Sequence, residues 1–428
     1  MSRQPRVVFV STHPMTPDRF QRGQLRWLAE RGYDITVLTA PGDDLDRLAD
    51  REGVSVCPVP MARTIRPPED LIALIRVVLA LRRLRPDVVV AGTAKGSLLG
   101  VFGARAAGVP IVVYHLRGLR LETTQGGLRV LLTALEAATA RTADRVWCNA
   151  PSLRARYLAD RFAAPEDCVV LGSGTSNGVR AERFTVQPGQ RAAERARWGI
   201  PDDAFVVGFV GRFAADKGFE ELWDAFAALP GCWLLLVGDW DDTDPVPEAV
   251  ANALRAHRSV VVTGMLADPA PVYAAMDVFA FPSRREGFPN APLEAAAAHL
   301  PVVGARVTGT VDAVVDGVTG TLVPPRDALS LASAIQRYRD DPAMRRRHGE
   351  AGHARVWAEF RPEVVWRAID AELARLLADQ HLPAPDPAAP RAGRPTGWVA
   401  RATARVDRWS RRLAHRWGPA PERAPGAP

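Results

Sequence analysis

The chain reads as an α/β protein built from two doubly wound, parallel-sheet units whose strand ends face a common cleft. Three observations predict this architecture. Short apolar, β-branched runs alternate with longer amphipathic stretches from Arg6 to Leu377, the pattern of a parallel sheet covered by helices on both faces. The alternation breaks between Gly172 and Pro201, at Ser-Gly-Thr-Ser-Asn-Gly and Gln187-Pro188-Gly189-Gln190, and then restarts. The 428 residues hold two or three domains, at about 150 residues each. Contents of 47% hydrophobic and 24% charged residues exclude a mostly disordered chain.

Taken in order, Arg6–Ser11, Asp34–Thr39, Val54–Val59, Asp87–Ala91, Ile111–Tyr114 and Arg145–Cys148 read as strands of the first unit. Arg19–Arg31, Pro68–Leu84, Gly96–Ala107 and Leu128–Arg141 read as its helices. Phe205–Val210, Trp233–Val237, Val260–Thr263, Val278–Phe281, Pro301–Val303 and Gly320–Val323 read as strands of the second unit. The first unit is placed at 1–186 and the second at 187–380, with closing helices within 328–380. A Pro/Ala-rich linker over 381–397 and a basic amphipathic tail over 398–428 follow. In doubly wound sheets ligands bind beyond the strand C-terminal ends, so functional residues are expected just after strands, near glycine.

Composition narrows the function. The formal charge is +7, but His381 to Pro428 carries nine arginines against Asp386, Asp407 and Glu422, leaving +1 for the remaining 380 residues. A nucleic-acid-binding fold would carry its basic stripe on the body, not in a tail. Cys57, Cys148, Cys168 and Cys232 lie far apart without Cys-x-x-Cys spacing, which argues for buried thiols over zinc ligands or disulfides. No apolar run approaches the ~18 residues of a membrane span. The chain is therefore expected in the cytoplasm, or peripheral on the inner face of the cell membrane.

Two elements of the second unit carry the chemistry. Val206-Val207-Gly208-Phe209-Val210-Gly211-Arg212 is a buried strand ending in arginine, and Asp216-Lys217-Gly218 then opens a helix. Two cations at a strand end and a helix start suit a diphosphate, Arg as a fork and Lys as a point charge. Lys217 and Lys95 are the two lysines among 55 basic residues. Further on, Phe279–Ser283 ends a strand, and Arg284-Arg285-Glu286-Gly287-Phe288-Pro289-Asn290 turns into a helix carrying Glu294. Gly287 allows close backbone approach, and the free N–H groups of the helix start at Asn290 suit an anion. Taken singly, each residue also has an ordinary reading: a solvated Arg212, a surface Lys217–Asp216 pair, a Glu286 favouring the helix dipole, a helix-surface Glu294.

Together these elements resemble the family 4 retaining glycosyltransferases, which have two Rossmann-like domains in the GT-B arrangement. The resemblance rests on Gly211, Arg212, Lys217 and Gly218, on Glu286 and Glu294 with the Gly-Phe-Pro insert, and on Ser176-Asn177-Gly178-Val179 with Phe184. It implies an N-terminal acceptor domain and a C-terminal nucleotide-sugar donor domain. It places Arg212 and Lys217 on the donor diphosphate and Glu294 on the ribose. Glu286 would face the donor sugar with the amides around Gly287, Phe288 and Pro289, and Gly264-Met265 would meet the nucleobase. His115 would contact the donor sugar near the reacting centre, which with Glu286 makes it a catalytic candidate. His13, Lys95 and Arg117 are acceptor-side candidates. The first loop, Thr12–Gln24, lacks the glycine pair of many members.

The resemblance implies no metal and no cofactor, the nucleotide sugar being a substrate. Asp239-Trp240-Asp241 contains a literal Asp-x-Asp, but in a Pro/Asp-rich loop without an evident His or Glu partner it reads as solvated carboxylates. No Gly-x-Ser-x-Gly elbow supports a hydrolase. The expected activity is transfer of a hexose or N-acetylhexosamine from a UDP-sugar to a lipid-linked saccharide or polysaccharide precursor. Alternatives are a transferase with a soluble acceptor, a sugar-nucleotide epimerase, and a non-catalytic nucleotide-sugar-binding protein. In the tail, Trp398, Ala402, Val406, Trp409, Leu413 and Trp417 share one helical face among arginines, a pattern suited to an anionic bilayer surface.

Overall fold

The computed structural model describes residues 3–62 and 66–389, leaving the 398–428 tail and the 390–397 part of the linker outside the described residues. Among the described residues, thirteen strands form two parallel sheets. In the first sheet they are β1 (Arg6–Val10), β2 (Asp34–Thr39), β3 (Ser55–Pro58), β4 (Val88–Gly92), β5 (Ile111–Leu116), β6 (Arg145–Cys148) and β7 (Cys168–Val170), in the order β3-β2-β1-β4-β5-β6-β7. The second sheet holds β8 (Phe205–Val210), β9 (Cys232–Val237), β10 (Val260–Val262), β11 (Val278–Phe281), β12 (Val302–Ala305) and β13 (Gly320–Val323), in the order β10-β9-β8-β11-β12-β13. Strand order reverses between β1 and β4 and again between β8 and β11, the switch points at which doubly wound sheets bind ligands.

These strands form because their apolar runs are buried on both faces. Val7 to Val10, Val88 to Ala91 and Leu234 to Val237 are all buried, as expected when helices cover both sides of a parallel sheet. An aspartate entering a strand pins the register repeatedly. Asp87, before β4, accepts from the Arg6 N–H at 2.8 Å. Asp144, before β6, accepts from the Val112 N–H at 2.8 Å, and Asp277, before β11, from the Val206 N–H at 2.8 Å. Each carboxylate satisfies a donor at the start of the neighbouring strand, which a sheet end would otherwise leave unpaired.

The chain gathers into two compact units. One comprises the described residues up to Tyr114, Thr142–Asp144 and the described residues from Ala374 on. The other comprises His115–Arg141 and Arg145–Leu373. In the first, the segment after Leu382 returns to the body: Gln4 Nε2 donates to the Asp386 carbonyl at 3.2 Å, and Gly32 lies against the Asp386 backbone. In the second, Phe209, Phe213, Phe219 and Phe281 pack beneath the end of β8, with ring centroids 4.9 Å apart for Phe209–Phe219 and 5.1 Å for Phe213–Phe219.

Several boundaries move. β5 runs two residues beyond the expected Tyr114, so His115 is a strand residue rather than one following the strand. β7 was not expected, because a three-residue strand carries too little pattern. The expected helix over Arg19–Arg31 divides into Met15–Phe20 and Gln24–Glu30, broken at Gly23, which is left-handed at φ 82°. All four cysteines are buried free thiols, as expected, with Cys148 Sγ and Cys168 Sγ 3.1 Å apart across β6 and β7. Among the described residues, no helix is long and apolar enough to cross a membrane.

Candidate active site

The two motif elements of the second unit meet at the switch point of its sheet. After β8 the chain passes Gly211 and Arg212 and reaches a short 3-10 turn, Ala215–Lys217, before the helix Phe219–Ala227. Gly218 sits at φ 75°, and a Cβ there would stand 2.3 Å from the Pro282 carbonyl oxygen, so only glycine permits this approach. The loop after β11 is stitched to the same turn. The Arg284 N–H donates to the Asp216 carbonyl at 2.8 Å, and Arg285 Nη2 reaches Asp216 Oδ2 at 3.0 Å. Arg284 pairs in turn with Glu220 at 2.6 Å and Glu221 at 2.8 Å, in the first turn of that helix.

Within this frame Lys217 Nζ lies 2.6 Å from Glu286 Oε1, and both side chains are mostly buried. Ser283, fully buried, places its hydroxyl 2.7 Å from the same carboxylate oxygen. The ammonium also sits 6.0 Å above the Phe281 ring centroid, a cation–π distance. Lys217 is therefore paired with Glu286, not with Asp216, whose partner is Arg285. Arg212 extends from the strand end, more than half exposed, and pairs with Asp241. The Asp239-Trp240-Asp241 loop is not merely solvated. Trp240 packs edge-on against Phe213 at 5.2 Å, and Asp241 is held well below the usual carboxylate range, at about 2, by the Thr243 hydroxyl and N–H and by Arg212.

The helix Asn290–Ala297 follows Pro289 and has no side-chain cap, which leaves N–H groups of its first turn for an anion. Glu294 lies one turn in. Its Oε2 accepts a 2.8 Å hydrogen bond from the hydroxyl of Tyr273, a fully buried residue. Desolvation pushes the Glu294 carboxyl up, and the Tyr273 hydroxyl opposes that shift. Phe288 packs on Phe360 at 5.5 Å. At the far edge of the sheet, Gly264 follows β10 and its carbonyl accepts from the Gly238 N–H at 3.2 Å, while Met265 is 61% exposed.

His115 and Arg117 belong to the same compact unit. His115 Nε2 donates to Asn149 Oδ1 at 2.7 Å, and the imidazole stands edge-on to Trp147 at 6.0 Å. Burial, with the nearby Arg117 charge, lowers the His115 pKa to about 3, so the ring is neutral at physiological pH and keeps Nδ1 as an acceptor. Gly287 is pressed against Arg117: a Cβ at Gly287 would lie 1.6 Å from the Arg117 carbonyl oxygen. Here the need for glycine is contact alone.

In the first unit, His13 Nδ1 accepts from the Met15 N–H at 3.2 Å at the start of the helix Met15–Phe20. Lys95, in the first turn of the helix Ala94–Ala107, pairs with Asp70 and is mostly buried. Thr93 precedes it at φ 69°, a strained position for a β-branched residue. Its hydroxyl oxygen accepts from the Gly96 and Thr12 N–H groups, each at 3.3 Å. The sequence assigns no site role to Thr93, Tyr273 or Ser283, and reads Asp241 as a solvated carboxylate. Only Asp241 carried a local signal, as part of the Asp-x-Asp pair.

A sheet that switches at β8 and β11, with two cations after one strand and two carboxylates in the loop and helix after the other, has a chemistry suited to a phosphorylated, polyhydroxylated ligand. Comparison with known proteins gives the class. The model for glycosyl transferases group 1 matches residues 204–341, and that for the glycosyl transferase 4-like domain matches 17–174. The capsular polysaccharide biosynthesis glycosyltransferase CapM of Staphylococcus aureus is 32% identical over 82% of this chain and 92% of its own. The UDP-Gal:alpha-D-GlcNAc-diphosphoundecaprenol alpha-1,3-galactosyltransferase of Escherichia coli is 26% identical over 74% of this chain and 83% of its own. Among solved structures, Anabaena HepE in complex with UDP and glucose superposes with a TM-score of 0.71 at 20% identity, over 86% of this chain and 99% of that one. The chain belongs to the group 1, 4-like glycosyltransferase family and is a glycosyltransferase with the GT-B fold.

Proposed function

We propose that this glycosyltransferase takes its sugar from a nucleoside diphosphate donor, UDP being the favoured nucleotide. We propose that it transfers a hexose or N-acetylhexosamine with retention, without a metal, to a lipid-linked saccharide or polysaccharide precursor. The observation that carries the reading is the convergence of Arg212, Lys217, Glu286 and the uncapped helix start on one switch point. The E. coli relative is named for a UDP-galactose donor and a diphosphoundecaprenol-linked acceptor, and the HepE structure holds UDP and glucose. Both support extending donor and acceptor classes to this chain.

In this reading Arg212 and Lys217 stabilise the diphosphate as the bond from its oxygen to the anomeric carbon breaks. Such preorganised charge is commonly the largest catalytic term. The departing phosphate oxygen takes the proton of the acceptor hydroxyl, so no separate base is required. Glu286 orients the sugar, and neutral His115 accepts a hydrogen bond from one of its hydroxyls. Glu294, held by Tyr273, accepts from the ribose, and Gly264-Met265 flank the base.

The experiment is a thermal-shift panel of UDP- and GDP-sugars on the full chain, followed by donor hydrolysis without acceptor, with and without chelator. A melting shift by a UDP-sugar with slow, chelator-insensitive release of sugar supports the reading. No shift by any nucleotide sugar, or activity restored only by added Mg²⁺ or Mn²⁺, overturns it.

A further inference from the structure

Arg117 is a cation without an acidic partner among the described residues. It is the first residue beyond β5, two places from His115. Its Nε is shut from solvent with no hydrogen-bond partner, while the residue as a whole keeps part of its surface open. The cations of the neighbouring loops are each met by an acid: Arg212 by Asp241, Lys217 by Glu286, Arg284 by Glu220 and Glu221, and Arg285 by Asp216. Arg117 makes no such pair among the described residues. Burial lowers its pKa to about 10, so it remains charged at neutral pH, and its field helps to keep His115 neutral.

Position adds to the charge argument. The Arg117 carbonyl and Gly118 Cα are packed against Gly287, so the residue is fixed beside the Glu286 loop. Removing a guanidinium from water without a counter-charge is unfavourable, and a fold retains such a group where a bound anion completes it. The planar fork suits a two-oxygen acceptor.

We propose that Arg117 is an oxyanion subsite at the sugar side of the reaction centre, recognising a carboxylate or a phosphate on the substrate that binds against Gly287. The inference rests on the donor-site reading above and deepens it, because it assigns a charge to the reacting partners. The oxyanion has two sources: the carboxylate of a hexuronosyl donor, or a phosphate of a lipid-linked acceptor.

The test uses the full chain with Arg117→Gln and Arg117→Lys. Affinities are measured for UDP, for UDP-glucose against UDP-glucuronate, and for farnesol against farnesyl diphosphate in the presence of UDP. The expected wild-type result is a preference of about tenfold or more for the charged member of one pair. Arg117→Gln abolishes that preference, Arg117→Lys keeps part of it, and UDP affinity does not change. A uronate preference identifies the donor, and a diphosphate preference the acceptor. Melting temperature supplies the control: Arg117→Gln should unfold at the wild-type temperature or above, because it removes an uncompensated charge. A proposal of anion recognition fails if neither pair is discriminated, if UDP affinity falls as much as the others, or if Arg117→Gln only lowers the melting temperature. Failure of the wild type to bind UDP overturns the donor reading instead, and the farnesyl pair still decides the role of Arg117.

Discussion

Lys217 and Glu286 hold each other at 2.6 Å with only 15% and 13% of their side chains exposed, whereas Arg212 is 56% exposed beside Asp241. Removing one partner of a sheltered pair leaves a charge uncompensated, while exposed pairs contribute about 0–1 kcal/mol. Arg212→Ala should therefore lower kcat/KM for the donor by roughly 10²-fold and leave the melting temperature nearly unchanged. Lys217→Met should lower both, and Lys217→Met with Glu286→Gln should recover the melting temperature but not the activity. A variant of either cation with near-normal activity at subsaturating donor would show that the diphosphate lies elsewhere. Tyr273→Phe removes the hydroxyl that holds Glu294 and should raise donor KM roughly tenfold, with kcat kept, in steady-state kinetics. His115, lowered to about 3, gives a pH prediction with a definite sign. The unfolded chain takes up the imidazole proton near pH 6.5 and the folded one does not. The residue thus contributes stability above pH 6.5 that is lost as pH falls toward 3. The melting temperature of His115→Gln should fall less steeply than wild type between pH 7 and pH 4. The donor kcat/KM should show no limb near pH 6.5 that depends on His115.

At the scale of elements, the loop from Ser283 to Pro289 is positioned by close backbone approach more than by its own sequence. Gly287 and Gly264 separate contact from conformation. A Cβ at Gly287 would overlap the Arg117 carbonyl at 1.6 Å, whereas one at Gly264 meets nothing within 4 Å but must adopt φ 73°. Gly264→Ala should cost about 1–2 kcal/mol and leave the donor site formed. Gly287→Ala must displace the 284–289 loop, and donor hydrolysis should fall below detection even where circular dichroism shows a folded chain. Retained activity in Gly287→Ala would mean that the loop has a second productive position.

Over the whole molecule, the expectation of a membrane-facing tail over Trp398–Trp417, which lies outside the described residues, is tested by truncation. The segment before it, at Asp386, is attached to the body through Gln4 and Gly32. Truncation after Ala389 keeps that attachment, and truncation after Leu382 removes it. Truncation after Ala389 should abolish flotation with anionic liposomes and spare donor hydrolysis. Truncation after Leu382 should in addition lower the melting temperature. Equal flotation of truncated and full-length chains would exclude the tail as anchor and favour a soluble acceptor.

Both sheets were legible in the sequence because a strand buried on two faces must be continuously apolar, as Val206 to Val210 and Val278 to Phe281 are. The loops carrying Arg212, Lys217 and Glu286, and the helix start before Glu294, were legible for a related reason: they follow such strands and are marked by glycine. The partners were not. Lys217 meets Glu286 across 69 residues of chain, Arg212 meets Asp241 across 29, and Glu294 meets Tyr273 across 21. Local pattern records which face of an element is buried, but it does not record which distant loop a switch point brings alongside. The charge state of His115 and the uncompensated charge of Arg117 belong to that second kind of information. Both depend on what surrounds a side chain in three dimensions, and only the tertiary structure decided them.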